Sequence, residues 1–144
     1  EDISAAEKLT IAKKLKIRPQ QQLFFSFISY GTHVVSKHKR LELYKLPKFT
    51  LVTGIANANP LVEFLSQNSL QFDHIEYGDH YNFRITDIEL LETKSLIVTT
   101  EKDFVRLSDN EELEHKLFYL PIEMKVDEPE KFNTCVASFL VEKT

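Results

Sequence analysis

This sequence predicts a three-layer α/β fold built on a mostly parallel sheet, and three observations predict it. Apolar runs of strand length alternate with helix-length amphipathic segments along the chain. Two of those runs, around Leu51 and Val52 and across Leu96, Ile97 and Val98, are apolar without alternation, as in strands covered on both faces. Polar, turn-forming stretches follow the strands at residues 54–59, 79–82 and 100–103. Right-handed crossovers would bring those stretches to one edge of the sheet. In open sheets of this kind ligands bind outside the carboxyl ends of the strands.

Ser4 and Glu7 stand at capping-box spacing, so a first helix starts there, with Leu9, Ala12 and Leu15 on one face until Arg18-Pro19 stops it. Its Lys8, Lys13, Lys14 and Lys16 make an ordinary solvated face or one that meets an anionic surface. Residues 23–30 are aromatic and β-branched and end at Gly31, which marks a strand. Val34-Val35 and Leu41 with Leu43 flank a basic stretch, which reads as a small surface β-hairpin excursion. Lys37, Lys39 and Arg40 at its tip suit either solubility or phosphate contact.

The next stretch, residues 51–65, reads as a buried strand with Leu51, Val52 and Ile55, a turn at Gly54, and a helix with Asn59 as N-cap and Pro60 at N1. Phosphates and anions favour such a helix start. Residues 72–77 form another short strand running into Gly78, and a second capping box falls at Thr86 and Glu89, before a helix containing Ile88 and Leu91. Residues 95–99 give a strand, after which Thr100 caps a short helix with Asp103 at N3. Residues 117–124 are a last strand, and Asp127 with Glu130 boxes the final helix, whose Phe132, Val136, Phe139 and Leu140 recur at helical spacing.

At 144 residues the chain fits a single domain, residues 1–144, long enough to bury a core without disulfides. A hydrophobic fraction of 42% and a charged fraction of 28% are those of a globular protein, and no apolar run approaches the roughly 20 residues that span a bilayer. A soluble chain is therefore expected. The net charge of −4 disfavours a broad nucleic-acid surface. Cys135, the single cysteine, cannot form an internal disulfide and lies among apolar helix residues, as a packed thiol does.

With only Gly31, Gly54 and Gly78, the chain has neither a P-loop nor a dinucleotide-binding glycine motif. Its five histidines show none of the tight spacings of a zinc site, so no metal site is expected. Asp79-His80 can act as an acid/base pair, since a carboxylate orients an imidazole, or can simply make turn hydrogen bonds. Thr100-Glu101-Lys102-Asp103 is good capping in either case, and Lys102 can also reach a phosphate.

Four segments carry a resemblance: Leu23-Phe24-Phe25-Ser26-Phe27-Ile28-Ser29-Tyr30-Gly31, Val52-Thr53-Gly54-Ile55-Ala56-Asn57-Ala58-Asn59-Pro60, Asp79-His80-Tyr81-Asn82-Phe83 and Ile97-Val98-Thr99-Thr100-Glu101-Lys102-Asp103. In this order and spacing they resemble the tetraacyldisaccharide 4'-kinase family, the lipid A 4'-kinases of Gram-negative bacteria, and most closely its Bacteroidetes branch. Ala58, Gly78 and Tyr81 depart from the usual pattern, in which Pro, Pro and a second His are common, but His80 is in place. The resemblance implies a Rossmann-like, P-loop-kinase-related C-terminal half of a two-lobed enzyme, without the N-terminal half that carries the P-loop and a membrane-associating helix.

The activity so implied is transfer of the ATP γ-phosphate, with Mg2+, to the 4'-hydroxyl of a lipid A disaccharide precursor at the cytoplasmic face of the inner membrane. ATP and Mg2+ would be held mainly by the absent half, which would also make the membrane contact. His80 would pair with an aspartate of that half and help it act as base on the sugar hydroxyl, with Asp79 orienting the ring. Thr100, Glu101, Lys102 and Asp103 would face the cleft between the halves as cofactor-binding or wall residues, and Gly54, Asn57 and Asn82 would line the substrate cleft. Alone, this chain would fold but be catalytically inert. Two other classes remain open: a stand-alone α/β binding or interaction module, and a metal-dependent phosphoesterase built on Asp79 and His80, which lacks the further ligands such sites recruit.

Overall fold

A computed structural model describes residues 3–141. In chain order the elements are α1 (Ala5–Leu15), β1 (Ser26–Tyr30), β2 (His33–Val35), β3 (Arg40–Glu42), a 3-10 turn at Leu43–Lys45, β4 (Phe49–Thr53), α2 (Asn59–Gln67), β5 (Phe72–Glu76), α3 (Ile85–Glu92), β6 (Ile97–Thr99), α4 (Glu101–Leu107), a 3-10 turn at Glu111–Leu113, β7 (Leu117–Tyr119), β8 (Ile122–Val126) and α5 (Pro129–Val141). They divide into two compact units, one from residues 3–29 with 124–141 and one of Tyr30–Glu123.

The larger unit carries the predicted α/β architecture. Its sheet has the order β3-β2-β7-β6-β4-β5. Strands β7, β6, β4 and β5 are mutually parallel, and β2 runs antiparallel to both β3 and β7. All five positions of β4 are buried, as expected of a strand with helices on both faces. Alternate side chains divide the core between those faces. Leu51 joins Leu61 and Leu65 of α2 with Val98, Phe118 and Leu43 on one side. Val52 joins Leu91 of α3, Leu107 of α4, Ile97 and Leu117 on the other. Each of these eleven side chains is 6% exposed or less, so the sheet is the middle of three layers.

Several boundaries differ from expectation. The β4 strand ends at Thr53, and Ile55 lies in the turn beyond it. Asn59 is the first residue of α2 and Ala58 its N-cap; the acceptor expected from Asn59 comes instead from Asn57, whose Oδ1 takes the Asn59 N–H at 3.1 Å. The capping box assigned to Thr86 and Glu89 lies two residues upstream, where Asp87 Oδ2 accepts the Arg84 N–H at 2.8 Å, because Arg84 precedes the first turn and Asp87 occupies N3. The expected β-hairpin forms from β2 and β3, and it also joins the large sheet: β2 pairs with β7, Val34 is wholly buried, and Leu43 just beyond β3 enters the core. Its basic tip is tied down within the chain, with Lys37 Nζ donating to the Ser108 carbonyl and His38 Nε2 lying 2.8 Å from Glu114 Oε1.

The single last strand expected across residues 117–124 is two strands. Pro121 cannot donate to a ladder, so pairing in the large sheet ends with the Leu120 N–H on the Thr99 carbonyl at 3.1 Å, and β8 pairs with β1 in a separate two-stranded sheet. In the smaller unit the Ser4-Glu7 capping box forms as predicted. The expected box at Asp127 and Glu130 does not: the Asp127 carboxyl accepts the Phe25 N–H at 3.2 Å and pairs with Lys8 Nζ at 2.7 Å, two residues before α5 begins. That bond and Lys8 hold Asp127 below the ordinary carboxylate range, Lys8 being the larger cause. Phe132 packs edge-on against Phe24 with centroids 5.3 Å apart. Leu9 and Leu15, expected with Ala12 to line one face of α1, are exposed, and the side chain of Leu140 lies outside the described residues. Among the described residues no helix is long and apolar enough to cross a membrane.

Candidate functional site

Strands β4, β5 and β6 are neighbours and parallel, so the chain leaves all three at the same edge of the sheet. The three polar stretches expected at that edge meet there, and side chains of α4 join them.

Gly54 is the first residue past β4, and its N–H donates to Asp103 Oδ2 at 2.8 Å. A Cβ on Gly54 would lie 3.0 Å from Asp103 Oδ1, so the close approach explains the glycine. Asp103 is wholly buried. Thr100 Oγ1 donates to the same Oδ2 at 2.8 Å and accepts the Asp103 N–H at 3.2 Å, which makes Thr100 the cap predicted for α4. Asp103 Oδ1 has no hydrogen-bond partner, and Arg106 Nη1 stands 3.7 Å from it.

Past β5 the Tyr77 N–H extends the ladder to the Thr53 carbonyl at 2.7 Å, after which the chain turns through Gly78 and Asp79. His80 has φ 57, in the left-handed region, where histidine is among the more tolerant non-glycine residues. Asp79 Oδ1 accepts both the His80 N–H at 3.0 Å and Lys102 Nζ at 2.9 Å. Asp79 Oδ2 lies 3.6 Å from His80 Nε2, an electrostatic contact beyond hydrogen-bond length. The bond from Lys102 is the main reason that the Asp79 carboxyl sits below the ordinary carboxylate range, with His80 adding to it. The His80 side chain is 74% exposed and so open to a ligand.

On the far side of His80, Arg106 Nη1 donates to the Tyr81 carbonyl at 3.2 Å, and the Tyr81 hydroxyl donates to Asp87 Oδ2 at 3.0 Å. That bond to a carboxyl raises the Tyr81 hydroxyl above its ordinary range; Tyr77, packed 4.7 Å from Tyr81, is raised chiefly by burial. Phe83 meets both rings edge-on. Asn82 lies beside this cluster, lining a cavity of about 300 Å³ with Tyr81, Phe83, Ile88, Arg106 and Asn110.

Of the residues singled out in the sequence, Gly54, Asp79, His80, Thr100, Lys102 and Asp103 thus form one connected set, with Asn82 at its margin. Asn57 is exposed and serves the start of α2, and Glu101 is exposed in the first turn of α4. Lys102, read as a cation able to reach a phosphate, is engaged by Asp79. Arg106 and Asp87 went unrecognised. Arg106 follows Lys102 by four residues and so shares its helix face, which was the available signal. Among the described residues no three His, Cys, Asp or Glu side chains converge as a metal site.

The chain matches the model of a family described as Tetraacyldisaccharide-1-P 4'-kinase over residues 3–141. Curated relatives bear the name tetraacyldisaccharide 4'-kinase. The one from Bacteroides thetaiotaomicron is 32% identical, the match covering 100% of this chain and 45% of the relative. The one from Flavobacterium johnsoniae is 29% identical, covering 98% of this chain and 42% of the relative. For that of Flavobacterium psychrophilum the identity is 35%, over 85% of this chain and 37% of the relative. The chain spans less than half the length of these relatives. A crystal structure of "apo" form LpxK from Aquifex aeolicus in complex with ATP superposes with a TM-score of 0.55 over 85% of this chain and 39% of that one. At 17% identity that likeness concerns the fold.

Proposed function

The chain belongs to the Tetraacyldisaccharide-1-P 4'-kinase family, and from that premise we propose that it is the C-terminal half of a kinase that transfers the ATP γ-phosphate to the 4'-hydroxyl of a tetraacyldisaccharide 1-phosphate in lipid A biosynthesis. The other half would carry the P-loop and the membrane contact, at the cytoplasmic face of the inner membrane. The observation that carries this reading is the Asp79-His80 pair, displayed with an exposed imidazole at the carboxyl edge of a parallel sheet, where α/β enzymes place their ligands.

ATP and Mg2+ do not fit the described residues of this chain. No glycine-rich loop cradles phosphates, Asp103 is sealed beneath Gly54, and Asp79 is occupied by Lys102. In this reading both are held by the other half, and alone this chain is inert. What it contributes is the acceptor side. In this reading His80 would pair with a carboxylate of the other half and favour its action as base on the sugar hydroxyl, since phosphoryl transfer depends on positioned groups and charge more than on covalent chemistry. Gly54, Asn57 and Asn82 lie along the same edge and would border the disaccharide.

The test is 4'-kinase activity of the full-length protein, wild type against His80→Ala, with ATP and the disaccharide precursor. A fall in kcat of about a hundredfold or more with folding intact supports the assignment. An active wild type with an unaffected variant confines the Asp79-His80 loop to a structural role, and an inactive wild type favours a binding module.

A further inference from the structure

One short helix holds all three loops of the site. Lys102 Nζ grips Asp79 at 2.9 Å, Arg106 Nη1 grips the Tyr81 carbonyl at 3.2 Å, and Asp103 between them takes the Gly54 N–H at 2.8 Å. Lys102 and Arg106 are four residues apart, so they leave the same face of α4 one turn from each other. They reach the residues immediately before and after His80. Asp103 fixes the helix from which they reach, because its bond to Gly54 is buried and its bond to Thr100 partly so.

The stability of the Lys102-Asp79 pair does not account for this arrangement. Both side chains are about two-fifths exposed, 41% and 39%, and exposed ion pairs contribute little to folding. Geometry accounts for it better. Asp79 Oδ1 binds Lys102 and the His80 N–H together, while Oδ2 faces the His80 ring at 3.6 Å. Moving Lys102 would release the carboxyl, and with it the backbone of a residue whose left-handed φ of 57 needs support from its surroundings. A phosphate reaching Lys102 would have to share an ammonium already committed to Asp79 at 2.9 Å.

We propose that Lys102 is a positioning residue for His80, acting through Asp79 with Arg106 as a second arm, and that it is not a phosphate ligand. The proposal rests on the reading that His80 serves phosphoryl transfer, and the experiment separates the two. It uses the full-length protein as wild type, Lys102→Met, Lys102→Arg, Asp79→Asn and the Lys102→Met/Asp79→Asn double variant.

Expected is a fall in kcat of roughly ten- to hundredfold for Lys102→Met, with the KM for ATP essentially unchanged. Lys102→Arg, which keeps a donor for Asp79, recovers much of it. The double variant is no slower than Asp79→Asn alone, because both changes remove one interaction. A raised KM for ATP at unchanged kcat, or a full Lys102→Met effect persisting in the Asp79→Asn background, overturns the proposal. Histidine-selective 15N labelling gives a readout independent of turnover: the His80 amide resonance, assigned with His80→Ala, shifts in Lys102→Met while the other histidine amides stay in place. An unmoved His80 resonance also overturns the proposal. If that resonance moves but His80→Ala retains full kcat, the positioning stands and the transfer-site reading of His80 fails.

Discussion

The Gly54 N–H and Asp103 Oδ2 meet at 2.8 Å across 49 positions of sequence, joining the end of β4 to the first turn of α4 inside the protein. Removing the acceptor strands a buried donor. Asp103→Ala is therefore expected to cost at least about 1–3 kcal/mol, and Asp103→Asn, which keeps one oxygen for Gly54 and Thr100, less. Gly54→Ala brings a Cβ to 3.0 Å from Asp103 Oδ1, and relieving that crowding is expected to cost about 1–3 kcal/mol. Urea unfolding of the single variants measures both. In the double variant Gly54→Ala/Asp103→Ala the losses should fall short of additive, because the crowding atom is gone.

At position 80 backbone and side chain serve different ends, so two substitutions separate them. A non-glycine residue in the left-handed region carries roughly 1–2 kcal/mol of strain that glycine escapes. His80→Gly should thus unfold at a higher urea midpoint than His80→Ala. Both should lose kinase activity alike in the full-length protein if the imidazole is what the reaction uses. Equal midpoints for the two variants would show that the backbone there relaxes.

The acid limb of stability should report Lys8 and Asp127, which pair at 2.7 Å. The folded Asp127 carboxyl is held below its ordinary range, so its contribution is present above the unfolded value of about 4 and is lost as pH falls through the folded value. Lys8→Met should lower the urea midpoint at neutral pH, and the gap to wild type should close as the pH drops below about 4. A gap that persists in acid would assign the loss to the Lys8 ammonium over the Phe25 ring, where Nζ lies 5.2 Å from the centroid.

The two asparagines before Pro60 should also differ. Asn57 supplies the acceptor for the start of α2, and Asn59 is already helical. Asn57→Ala should cost about 0.5–2 kcal/mol, as loss of a cap does, and Asn59→Ala should leave the unfolding midpoint nearly unchanged.

The sheet was legible because burial on both faces leaves a mark in composition: Leu51 and Val52, or Ile97 and Val98, are apolar without alternation. Local chemistry carried the caps at Ser4 and Thr100, where donor and acceptor are three residues apart. The same reasoning misplaced the cap of α3, because Thr86 and Glu89 satisfy the spacing as well as the residues that form it. That residues 54, 79, 80 and 100–103 share an edge followed from strand-helix alternation. How they are joined did not, since the bonds between Gly54 and Asp103 and between Lys102 and Asp79 cross 49 and 23 positions and leave no periodicity to read. Lys102 was therefore readable as a cation while its partner was not. The split at Pro121 was open to view in the residue itself, yet apolar residues on both sides made one strand seem continuous.

Strand β5 is the last strand on its side of the large sheet, hydrogen-bonded to β4 alone among the described residues. A bare strand edge is a template on which a stranger's strand can grow, and aggregation starts at such places. Here Asp73, His74 and Glu76 are exposed, and Lys48 reaches Asp73 at 2.7 Å, so an incoming strand would meet charge along the margin. Residues that take no part in the site thereby keep the chain from sticking to copies of itself, and a change as small as Asp73→Val would weaken that protection while leaving the fold intact.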